Sequence, residues 1–185
     1  LKFPFDDYRE GQRDMAKYIY TAMKRGSRTL IEAPTGIGKT AASLFGALKA
    51  LGAAYAMVED MGEASQFTSV MDGLLVNVGT ATKPQTDAMR AAVSHANMGG
   101  KPWVLDPVGV GALPLRTFTV KELMRRFPAL IRGNADEINF LVHNTLPARG
   151  TALTSDAVAQ DAARLAGVTH AAVLLTGATD YVALE

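Results

Sequence analysis

Apolar residues recur along this chain in two periods, one of about 3.6 and one made of short continuous runs, and the two take turns. Gln12, Met15, Ile19 and Met23 stand at helical spacing, and Asp6 and Asp7 can cap a helix from about Tyr8 to Lys24. Gly26 and Ser27 end it. Arg28 to Ala33 reads as a short apolar strand, and Lys39 to Leu51, rich in alanine and leucine, as a helix closed by Gly52. Predicted strands follow at Ala54 to Val58, Leu74 to Val78, Trp103 to Leu105, Leu130 to Ile131 and Ala171 to Leu175. Helices are expected at Glu63 to Asp72, Pro84 to Asn97, Thr119 to Phe127, from a turn at Gly133 with Asn134 as cap, and at Ser155 to Ala166. The second of these is strongly marked, since Thr82 and Gln85 have capping-box spacing and Pro84 sits at the first helical position. His143 to Thr151 reads as an irregular connection.

Short apolar strands alternating with helices predict an α/β fold, a three-layer sandwich with a mainly parallel sheet and helices on both faces. The 185 residues, 48% hydrophobic and 20% charged, suit one domain with a substantial core. The formal charge of +1 supplies no global attraction to nucleic acid or to a membrane surface, so neither is expected as a partner. With no cysteine, disulfides and thiolate chemistry are excluded. No apolar run approaches the ~20 residues of a membrane span, and "LKFPFDDYRE" lacks the apolar core of a signal peptide; a cytoplasmic location is expected.

Chemistry enters with "LIEAPTGIGKTA", Leu30 to Ala41. The string from Ala33 to Thr40 fits a phosphate loop with alanine in place of the first glycine. Gly36 and Gly38 let backbone N–H groups curl toward phosphate oxygens, Lys39 supplies charge, and the Thr40 hydroxyl can ligate magnesium. ATP and Mg2+ are the expected ligands.

Around this loop, "YREGQRDMAKYIYTAMKRGSRTLIEAPTGIGKT" resembles the N-terminal segment of superfamily 2 helicases of the iron–sulfur, DinG-like and XPD-like type. Arg9 and Gln12 fall where that family contacts adenine. A motor also needs an acidic box ending an apolar strand, and Asp136-Glu137-Ile138-Asn139 follows Arg132-Gly133-Asn134-Ala135, which is not such a strand. DNA unwinding is not expected.

From about Leu44 to Val182 the chain resembles the hydroxyethylthiazole kinases of thiamine salvage. The stretches "ALKALGAAYAMVED", "LLVNVGTATKPQTDAMRAA", "PWVLDPVGVGALPLR", "ALIRGNADEINFLV" and "VLLTGATDYV" carry the likeness in that family's order. The resemblance implies a ribokinase-like fold, a trimer, and transfer of the ATP γ-phosphate to a small thiazole. It also implies thiazole contact at Met57, acids near phosphate and magnesium at Asp106 and Glu137, and nucleotide contacts at Arg132 and Thr176. The same acids have a structural reading: Asp106 can cap a turn and Glu137 can support a helix N-terminus.

Together the two resemblances suggest a chimera, with residues 1–45 helicase-like, residues 46–185 kinase-like, and a seam between Thr40 and Gly52. The family's glycine-rich "GAG" turn would lie beyond Glu185, so the leading expectation is an ATP-binding α/β domain with weak or absent catalysis. Alternatives are an inert scaffold, residual thiazole kinase activity, and ATP hydrolysis at the loop. In a parallel sheet the loops at Gly36 to Thr40, Asn77 to Thr80, Asp106 to Gly111 and Thr176 to Asp180 would share the ligand-binding edge. His95, His143 and His170 show no pattern that would make them a metal set, and Lys121, Arg125 and Arg126 read as a solvated helix face.

Overall fold

The computed structural model describes residues 58–79, 81–148, 153–177 and 179–184, together with Lys17 and Thr21, both helical. The chain divides into two compact units, Leu1–Met57 and Val58–Glu185. The elements expected before residue 58, including the phosphate loop and Met57, lie outside the described residues, and the second unit is described by itself.

Its elements run α1 (Met61–Val70), β1 (Leu74–Asn77), α2 (Lys83–Met98), β2 (Trp103–Asp106), α3 (Pro114–Met124), β3 (Leu130–Asn134), α4 (Ala135–His143), α5 (Ser155–Thr169), β4 (Ala172–Thr176) and β5 (Tyr181–Ala183). Local chemistry explains most boundaries. The Thr82–Gln85 capping box is present on α2, and the Asn134 side chain accepts from Glu137 N on α4 while Glu137 reaches back to Asn134 N. Asp60 caps α1 by accepting from the Gly62 and Glu63 amides, so that helix begins two residues before the expected Glu63.

Other expectations need larger correction. Helix α3 starts at Pro114 and not at Thr119, because Pro114 is a first-turn proline with a preset φ and not the end of the glycine loop. Gly133, read as a turn, is a strand residue: it pairs with Leu175, and β3 continues to Asn134. His143 closes α4 instead of lying in a connection, and His170 is the left-handed C-cap of α5, just before the strand.

The sheet has the order β1-β2-β3-β4-β5, parallel except for the last pair. Each parallel strand lies beside its predecessor, so right-handed crossovers carry every connecting helix to the same face. The register confirms it. Val76, Leu105, Ile131, Val173 and Leu175 point to one face and join Val93 and Ala96 of α2, Val120 and Leu123 of α3, Ile138 of α4 and Ala162 of α5 in a single buried cluster. The opposite face bears Leu75, Val104, Leu130 and Leu174, all partly or largely exposed, together with the polar Asn77, Asp106, Arg132, Asn134 and Thr176.

Helices α2 and α3 are also tied by charge. Glu122 accepts from Arg90 Nε and from Arg126 Nη2, both at 2.7 Å, and Arg90 Nη1 meets Asp87 at 2.7 Å. Arg126, expected in a solvated face, is therefore engaged. Desolvation works to raise the Glu122 pKa, but the Arg90 hydrogen bond and the charges of Arg90 and Arg126 outweigh it and hold it below the usual 4.5. A depressed carboxylate contributes stability above its unfolded value and loses it as pH falls through the folded one. Glu122→Gln is expected to cost about 1 kcal/mol at neutral pH, since the network is partly exposed and screened. Urea unfolding of both proteins should show that difference closing as the pH falls below 4.5.

Candidate functional site

Three polar side chains form a row across the carboxyl ends of the first three strands. Asn77 ends β1 and pairs with Asp106, which ends β2; one pair beyond Leu105↔Ile131 brings Arg132 of β3 alongside. Alternation along each strand puts all three on the face away from the buried cluster. Thr176, at the end of β4, pairs with Asn134 on the same side, and its hydroxyl donates to Gly133 O at 3.3 Å.

Asp106 is the centre of this row. It is 1% exposed, and its Oδ2 accepts from Asn77 Nδ2 at 2.7 Å and, loosely, from Arg132 Nη1 at 3.4 Å. Its Oδ1 is buried and has no hydrogen-bond partner among the described residues. Burial raises its pKa above the usual 3.8; the Arg132 charge opposes this, the Glu137 charge adds to it, and the hydrogen bonds from Asn77 and Arg132 oppose it again. An orphaned buried carboxylate oxygen is costly unless a donor or cation meets it.

The other acid is differently placed. Glu137 Oε2 accepts from Asn134 N at 2.9 Å and Oε1 from Gly109 N at 3.2 Å, so both oxygens are engaged by backbone. The reading of Glu137 as support for a helix N-terminus is what the geometry displays, with the Gly109 bond adding a hold on the "DPVGVG" loop. That loop is shaped by its glycines: Gly111 has φ +86°, and a Cβ there would lie 2.6 Å from Phe140. Its amide donates to Thr117 Oγ1 at 2.8 Å.

Of the expected site residues, the structure thus brings Asp106 and Arg132 into contact, sets Glu137 beneath the loop that follows Asp106, and places Thr176 on the same edge. Gly36, Gly38, Lys39, Thr40 and Met57 fall outside the described residues. Asn77 was not singled out from sequence; an asparagine at a strand end, two residues before a glycine, was the available signal. Among the described residues no three His, Cys, Asp or Glu side chains converge to hold a metal. Magnesium does not require such a cage, since it commonly takes one or two carboxylates with phosphate oxygens and water, and the orphaned Asp106 Oδ1 fits that role.

These features define a class: an open, mainly parallel α/β protein with a polar site outside the carboxyl ends of its strands. Comparison with known proteins narrows it. Residues 35–184 match the hydroxyethylthiazole kinase family. The hydroxyethylthiazole kinase of Cronobacter sakazakii is 52% identical over 137 residues, 73% of this chain and 52% of that protein. That of Klebsiella pneumoniae is 50% identical over 137 residues, 73% of this chain and 53% of that protein. The structure of the hydroxyethylthiazole kinase protein from Pyrococcus horikoshii OT3 is 31% identical, with a TM-score of 0.68, covering 90% of this chain and 63% of that one. The chain belongs to the hydroxyethylthiazole kinase family, and its fold is the ribokinase-like α/β class expected from sequence.

The chain spans about half the length of the curated relatives it matches. The family match begins at Thr35, inside the phosphate-loop string and ahead of the seam placed between Thr40 and Gly52. The comparisons support the kinase family, and the helicase-like, chimeric reading rests on the sequence pattern of the first forty residues alone. No helix among the described residues is long and apolar enough to cross a membrane.

Proposed function

We propose that this chain serves an ATP-dependent kinase of thiamine salvage, which moves the γ-phosphoryl group of ATP to the hydroxyl of a hydroxyethylthiazole. Family membership supports the reaction class, and the observation in the fold that carries the proposal is Asp106, buried at the strand-end edge with Oδ1 unpartnered and a guanidinium beside it. Phosphoryl transfer depends on positioning and on neutralising charge spread over phosphate oxygens. The Asp106 carboxylate would hold magnesium, which when bound supplies positive charge to the phosphates. Arg132, whose side chain is 37% exposed, would reach a phosphate oxygen, and Thr176 would contact the nucleotide. Glu137 keeps the Gly109 backbone fixed below them. In the first unit, Gly36, Gly38, Lys39 and Thr40 keep the sequence pattern of a phosphate loop, and Met57 the family position of a thiazole contact.

The test is transfer of label. With γ-labelled ATP, Mg2+ and a hydroxyethylthiazole, this chain is expected to form a labelled thiazole phosphate that requires all three. Calorimetric binding of Mg-ATP without any labelled product would instead make it a nucleotide-binding domain and overturn the kinase reading.

A further inference from the structure

The two oxygens of a carboxylate are chemically equivalent, so something must decide which of them Asp106 keeps for the protein. Arg132 cannot do so alone, because its bond is 3.4 Å long and its side chain is over one-third exposed. Asn77 can. Its Oδ1 accepts from Gly79 N at 2.7 Å, and a backbone N–H can only donate, so the amide carbonyl must face Gly79. The Nδ2 group is thereby turned to Asp106 Oδ2 at 2.7 Å, with no freedom to flip. Gly79 is part of the same arrangement, because a Cβ there would lie 2.8 Å from Asn77 Oδ1 and push the amide away.

We propose that Asn77 is the positioning residue of this site: through Gly79 and the β1–β2 pairing it fixes the Asp106 carboxylate, engaging Oδ2 and reserving Oδ1 for the cation that accompanies the nucleotide. This rests on the nucleotide-site reading above. It also goes beyond it, because Asn77 itself touches neither cation nor nucleotide. Residues that orient a metal ligand in this way typically change metal affinity by about 10–100-fold when removed.

Two measurements separate the inference from the reading beneath it. The first needs no nucleotide: the Asp106 carboxyl carbon should give one sharp NMR signal in the parent protein and a displaced or broadened one in Asn77→Ala. An unchanged signal overturns the positioning role. The second follows Mn2+-ATP binding by electron paramagnetic resonance in the parent, in Asn77→Asp, and in the exchanged pair Asn77→Asp/Asp106→Asn. Asn77→Asp removes the donor at constant shape and is expected to weaken binding about 10–100-fold.

The exchanged pair restores a hydrogen bond of reversed polarity, so it should recover thermal stability without recovering Mn2+-ATP affinity. Mn2+-ATP affinity unchanged in Asn77→Asp would make Asn77 merely structural and overturn the proposal. If the parent protein itself binds no Mn2+-ATP, the nucleotide reading fails, and the Asp106 carbon signal still decides whether Asn77 positions that acid.

Discussion

Asp106→Asn is expected to lower transfer of phosphate to hydroxyethylthiazole by roughly two to three orders of magnitude, with the fold intact. The substitution keeps the size of the side chain and an oxygen to accept from Asn77 Nδ2, but it removes the negative charge that Oδ1, without a partner among the described residues, would present to a cation. Charge is what a magnesium site needs most. The loss should therefore appear in turnover and in Mg-ATP affinity, read by the labelled-transfer assay and by calorimetry. Transfer at the parent rate would remove Asp106 from the chemistry.

Stability should move the other way, with a definite pH dependence in the metal-free protein. Burial, opposed by Arg132 and reinforced by Glu137, raises the folded pKa of Asp106 above its usual 3.8. An acid raised in this way contributes stability below its unfolded value and loses it as pH rises through the folded one. Asparagine has no such proton to lose. Melting temperatures taken from about pH 4 to 7 should show the variant gaining on the parent as pH rises. A difference constant across that range would mean that Asp106 is not held in a desolvated state.

The second large effect lies at the other end of the same strand. Trp103→Ala is expected to cost about 3–5 kcal/mol. Trp103 is 1% exposed and begins β2, packed in the main cluster, and its Nε1 donates to Asn97 Oδ1 at 3.1 Å. Asn97 in turn donates to Arg126 O at 2.8 Å, so the indole anchors the end of α2 and, through it, the end of α3. Truncation would open a cavity and strand the Asn97 acceptor. Trp103→Phe, which keeps most of the buried area, should cost about 1–2 kcal/mol more than no change, mainly for the lost hydrogen bond. Urea unfolding followed by circular dichroism is the measurement, since Trp103 is the chain's single tryptophan and its fluorescence disappears with it. Near-equal stability of the alanine and parent proteins would contradict the packing described.

How far the sequence could be read depended on the range of the forces involved. The α2 capping box, the Asn134 cap and the strands around Leu74, Trp103 and Ala172 were legible because each depends on residues within a turn or two of one another. The start of α3 was missed where two local signals competed, since a proline after glycines marks a loop as readily as a first helical turn. Strand β5, antiparallel to β4 through Leu174↔Val182, was not expected, because three residues of strand carry too little periodicity to stand out. Asp106, Arg132, Glu137 and Thr176 were found through family resemblance and not through their local surroundings.

The sequence alone determined the α/β class, the family to which the chain belongs, and the acidic, basic and hydroxyl side chains that could serve a phosphate site. Only the tertiary structure decided which of them meet. Asn77 and Arg132 stand 29 and 26 residues from Asp106, and sheet register alone, a cooperative result of burying one face of every strand, brings the three into one row. The same packing engaged both oxygens of Glu137 with backbone amides while leaving one oxygen of Asp106 without a partner among the described residues. Two carboxylates that look alike in sequence thus have different chemistry, because hydrogen bonding and burial are properties of the folded neighbourhood.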